Sequence, residues 1–117
     1  MAKNFTPPTL AEITYEYLGL HRKRARQKDY EQMQSLFVKT LTRINQREEI
    51  RAALALDSKR KLPVQMKSPA YERLLVLEGR SPALLREYAQ EMYDFGPEWT
   101  HYADMLWDEA QAIEDDE

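Results

Sequence analysis

The chain has 117 residues, no cysteine, 43% hydrophobic and 32% charged residues and a formal net charge of −3. That length suits a single domain spanning residues 1–117, and that apolar content fills a core, which excludes a disordered tail. Without cysteine there are no disulfides, thiolate nucleophiles or sulfur-ligated metals, which fits a cytoplasmic protein.

No window approaches the roughly 18 uninterrupted apolar residues of a membrane span, and Met1 to Pro8 has no apolar core of signal-peptide length, so neither membrane insertion nor export is expected. Only 3 glycines and 6 prolines punctuate the chain. Its long tracts are dense in Ala, Leu, Glu, Gln, Arg, Lys and Met, which lose little rotamer freedom in a helix. The pattern predicts an all-α fold, a compact bundle of four to five helices.

Thr9 followed by Glu12 has the form of a capping box and predicts the first helix, with Leu10, Ile13, Tyr17 and Leu20 at helical spacing. Its second half turns wholly polar at Gly19 and the run His21 to Lys28, whose cations would encircle a continuing helix. Asp29 is placed to cap a second helix with the stripe Tyr30, Met33, Phe37, Leu41 and Ile44. After Asn45, the residues Ile50, Ala53, Leu54 and Leu56 carry the helix on or begin a third.

Lys59, Arg60, Lys61, Leu62 and Pro63 mark a linker over 58–67, because the proline biases Leu62 away from helix. Ser68-Pro69 and Ser81-Pro82 each place a hydroxyl before a proline that suits the first helical position, and predict two further starts. The second leads through Leu84, Leu85, Tyr88, Ala89 and Met92 to Gly96, and Pro97 opens a last helix with Trp99, Tyr102, Ala103, Leu106, Ala110 and Ile113 inward. The end, Glu114 to Glu117, is expected to fray. This last pair is an αα-hairpin whose Ala and aromatic positions are faintly similar to a tetratricopeptide unit, in one copy and without that repeat's spacing.

Charge divides the chain more sharply than its small net value suggests. Residues 1–67 hold 14 Lys and Arg against 7 Asp and Glu, and residues 68–117 hold 3 against 13. A basic half over 9–57 is thus followed along the chain by an acidic helical half over 68–117.

Catalysis is disfavoured, since mechanisms need an activated group held by a second residue. His21 and His101 have no His or Cys partner at i+3 or i+4, so no metal is expected. The seven acids Glu87, Glu91, Asp94, Glu98, Asp104, Asp108 and Glu109 fall mostly opposite the apolar stripes and lack Glu-x-x-His pairing. Glycines 19, 79 and 96 stand alone, which leaves no phosphate loop and no expected cofactor.

Two binding constellations remain. On the last helix, Met105 and Trp107 each lie about 100° from Leu106 on opposite sides, more apolar surface than one packed face needs, with Asp104 and Asp108 beside them. Large surface Met and Trp favour protein interfaces, whereas a last helix clamped between two neighbours would bury both as core. The expected function is a non-enzymatic adaptor, assembly factor or inhibitor, docking through these residues on another protein. The alternative is a nucleic-acid-associated protein that contacts phosphates through Arg22, Lys23, Arg24, Arg26 and Lys28. Self-association of the basic half with the acidic half of another copy is a third reading.

Overall fold

The structure, a computed structural model, describes residues 7–116, so most of the Met1 to Pro8 segment and all of Glu117 lie outside the described residues. Among the described residues every regular element is helical. They form two compact units, one ending at Leu62 and the other starting at Pro63.

In the first unit, α1 (Leu10–Gly19) starts at the capping box. The Glu12 N–H donates to Thr9 Oγ1 at 3.1 Å, and the Thr9 N–H donates to the Glu12 carboxylate at 3.2 Å. The helix buries Leu10, Ile13, Thr14 and Tyr17, and the Thr14 hydroxyl is satisfied by donating to the Leu10 carbonyl at 2.8 Å.

The chain then leaves the α-helical path. It tightens into a 3₁₀ turn over Leu20–Lys23, and Arg24 takes the left-handed conformation at φ 52°. The basic run therefore does not encircle a helix, as its sequence suggested, but bends around a turn. α2 (Gln27–Leu41) begins immediately afterwards. Asp29 serves this start from the third helical position, accepting from the Arg26 N–H at 2.9 Å, and so is not the cap residue itself.

Phe37 and Leu41 are the buried residues of α2. Tyr30 meets Tyr17 edge-on at 5.6 Å, and Gln34 donates to the Tyr17 hydroxyl at 3.3 Å. α3 (Arg47–Ala55) buries Ile50 and Ala53. α1 packs against both α2 and α3, so it forms the centre of this unit.

The second unit opens on α4 (Val64–Glu78), which corrects two expectations. The supposed linker is irregular only as far as Pro63, whose carbonyl accepts from the Met66 and Lys67 N–H groups, each at 3.0 Å. Ser68-Pro69 does not start a helix, because Pro63 has already fixed the start and Pro69 lies inside α4. The Ser68 hydroxyl instead reaches the Tyr88 hydroxyl at 2.5 Å.

α5 (Pro82–Phe95) begins as its sequence predicts, with Ser81 Oγ accepting from the Leu84 N–H at 3.2 Å. It ends at Gly96, where φ is +127° and a Cβ would come within 2.9 Å of the Glu98 carboxylate. Pro97 opens a 3₁₀ turn over Pro97–Trp99, and α6 (Thr100–Asp115) follows. The acidic end is thus helical through Asp115 among the described residues.

Tyr93 bonds Asp104, and Arg86 bonds Glu114 and reaches Gln111 at 3.5 Å. Partners that rise along one helix as they fall along the other make α5 and α6 the antiparallel hairpin expected. α4 also packs against α5. Tyr88 is fully buried, its ring stacked on Tyr71 at 5.2 Å and its hydroxyl also 3.2 Å from that of Tyr102. Burial raises the Tyr88 pKa above its ordinary value, with Tyr102 adding to the shift and the Ser68 bond opposing it.

Lys67 is buried and donates to Glu91 at 3.0 Å, with the Phe95 ring 5.9 Å away. No helix among the described residues is long and apolar enough to cross a membrane.

Candidate functional site

α6 presents the first candidate surface. Ala103, Leu106 and Ala110 are its buried residues. At about 100° per residue, Asp104 and Asp108 fall on the opposite side, while Met105 and Trp107 stand on the two flanks. Both flanking residues are exposed, Met105 by 56% and Trp107 by 40%. They frame the acids from either side and do not merge into one apolar patch.

Two residues of this face, Trp107 and Asp104, are tied to α5. The Arg86 guanidinium lies 5.2 Å from the Trp107 ring centre and bonds Glu114, which raises the Arg86 pKa and lowers that of Glu114. Asp104 accepts from the Tyr93 hydroxyl; that bond, with a lesser contribution from Asp108, holds the tyrosine above its usual pKa.

Trp99 and Tyr102, expected in the core, are both half-buried. Trp99 belongs to the 3₁₀ turn, so the helical stripe that pointed it inward does not extend to it. Tyr102 turns its hydroxyl to Tyr88 and to Glu72, the latter at 3.3 Å, and burial raises its pKa.

Acids that might have gathered a cation are engaged separately. Glu87 accepts from Tyr71 at 2.9 Å, Glu91 from Lys67, and Glu109 from two nitrogens of Arg80 at 2.5 and 2.7 Å. Among the described residues no three His, Asp or Glu side chains converge as a metal site requires.

The five cations of the basic run are all exposed but do not act as one group. Arg22 and Lys23 line a groove of about 510 Å³ together with Tyr15, Leu56, Lys59 and Lys61. Arg24, Arg26 and Lys28 do not line it. Sequence reasoning assigned Lys59 and Lys61 to a linker, and nothing in their local pattern signals that packing α3 on α1 brings them beside Arg22.

Their loop is closed by Asp57, whose carboxylate accepts from the Lys61 N–H at 2.6 Å and the Leu62 N–H at 3.1 Å. Arg60 within it is left-handed at φ 53°. Two surfaces of opposite charge are therefore built, a row of acids between two large apolar residues and a basic groove. Comparison of the chain with family models, with curated proteins and with solved structures gives no significant match.

Proposed function

We propose that the protein is a non-enzymatic interaction module that docks through the outer face of α6 on another protein. The observation that carries this reading is the pairing of exposed Met105 and Trp107 on either side of Asp104 and Asp108. Met and Trp are enriched at protein interfaces relative to the rest of the surface, and charges at the rim of such a surface are normal. The acids select a partner carrying Lys or Arg and steer its approach, while Met105, flexible and polarisable, adapts to a shallow apolar pocket.

Arg86 beneath Trp107 holds the indole in place, so less side-chain freedom is lost on binding. An adaptor, assembly factor or inhibitor would use such a face.

The test is affinity capture from the native cell with the wild-type chain, beside Met105→Ala and the double variant Asp104→Asn/Asp108→Asn. A partner held by the wild type and lost by both variants supports the reading. One retained equally by all three refutes it. Sedimentation of the purified chain identifies the case in which the docked protein is a second copy.

A further inference from the structure

The basic groove of the first unit has a chemistry of its own. Two segments distant in sequence, the 3₁₀ turn with Arg22 and Lys23 and the loop with Lys59 and Lys61, place four cations around one concavity. Among the described residues no carboxylate forms an ion pair with any of the four. Two acids also line it, Glu16 and Asp57, but the Asp57 carboxylate accepts from backbone N–H groups of the loop it closes. Gathering unpaired like charges raises the local potential, and an anion relieves it.

The second observation is aromatic. Tyr15 stands on the groove wall with 73% of its surface exposed, and Leu56 beside it is 40% exposed. Tyr17, two residues on, is buried in the helical core. An aromatic ring left in water among cations offers a platform on which a base can stack while its phosphates meet the Lys and Arg side chains.

We propose that this groove binds single-stranded nucleic acid, with Arg22, Lys23, Lys59 and Lys61 on the phosphates and Tyr15 under a base. The groove, of about 510 Å³, has room for a splayed nucleotide. A duplex keeps its base faces stacked away from Tyr15. The site is distinct from α6 and does not depend on the docking role proposed for that helix.

The test is fluorescence anisotropy of a labelled single-stranded oligonucleotide of about 12 nucleotides, with the full chain titrated in at about 50 mM salt and above. Three to four neutralised phosphates give a slope of log affinity against log salt of about −2 to −3. Arg22→Ala/Lys23→Ala and Lys59→Ala/Lys61→Ala should each weaken binding and flatten that slope by about 1.4. Tyr15→Ala should weaken it about five-fold or more at unchanged slope, and Tyr15→Phe should retain it.

Arg24→Ala/Arg26→Ala/Lys28→Ala lies outside the groove and should leave affinity within about two-fold, the small residue of long-range attraction. Unchanged thermal melts show that each variant is folded.

Several results overturn the proposal. They are no binding at about 100 µM protein, equal affinity for the matching duplex, indifference to Tyr15→Ala, or a loss from the Arg24, Arg26 and Lys28 variant as large as that from the groove variants. A self-associated chain that Lys59→Ala/Lys61→Ala dissociates would also overturn it, because the groove would then be filled by protein.

Discussion

If Ser68 belongs to the interior of α4 and holds Tyr88, the two residues must be energetically coupled. Tyr88→Phe keeps the ring and its stack on Tyr71 and removes only the hydroxyl that meets Ser68 at 2.5 Å and Tyr102 at 3.2 Å. At about 1 kcal/mol for each bond lost, the substitution costs about 1 to 2 kcal/mol. Tyr102 is not stranded, since Glu72 remains 3.3 Å away. Ser68→Ala costs about 1 kcal/mol, because Tyr88 keeps Tyr102 as a partner. The double variant loses the shared bond once, so it falls short of the sum of the single costs by about 1 kcal/mol. Urea titration followed by tryptophan emission reads this directly, because Trp99 and Trp107 both lie in the second unit. A coupling below about 0.3 kcal/mol would refute the reasoning.

Pro69→Ala restores an N–H inside α4 and is expected to stabilise by about 1 to 2 kcal/mol in the same titration, after the stiffer unfolded chain of the proline is allowed for. Gly96→Ala forces a side chain onto φ +127° and against Glu98, and should cost about 1 to 3 kcal/mol. The Arg80 bonds lower the Glu109 pKa, so their contribution is present above the ordinary glutamate range and is lost as pH falls through the lowered folded value. With both side chains partly exposed it amounts to only about 0.2 to 1 kcal/mol, and Arg80→Ala should remove that part of the acid dependence of the melting temperature. Trp107→Ala should cost no more than about 1 kcal/mol, mostly its contact with Arg86. Half-buried Trp99→Ala should fall below the roughly 3 kcal/mol of a full core truncation, and equal, large losses at both would mean that Trp107 is packed.

Signals confined to one turn of chain were legible. Thr9 with Glu12 and Ser81 with Pro82 mark real helix starts because the atoms that satisfy each other lie within a few residues. Ser68-Pro69 carries the same local signal as Ser81-Pro82 and fails, because a start five residues earlier at Val64 competes and a tyrosine 20 residues onward claims the hydroxyl. Helical periodicity marks Met105 and Trp107 as apolar residues off the main stripe of α6, but it does not decide between burial and exposure; that depends on which neighbours flank the helix, and both side chains are exposed. The basic groove could not be anticipated. It depends on left-handed turns at Arg24 and Arg60, residues with no glycine-like preference for them, and on α1 packing against α3. Helical spacing also over-reached at Trp99, where Gly96 and Pro97 divert the chain into a tighter turn.

The ion pair of buried Lys67 with half-buried Glu91 bears on how α4 finds its seat on α5. A charge withdrawn from water, as Lys67 is, recovers little net stability from its partner, and replacing such a pair with apolar residues of similar size is often neutral or favourable. A sliding helix, however, would strand the ammonium in the core without its carboxylate, a cost that hydrophobic contacts alone do not impose. The pair would therefore act as an alignment key. Lys67→Met/Glu91→Leu should hold or raise the unfolding midpoint while blurring the helix register, seen as doubled or broadened amide resonances along α4.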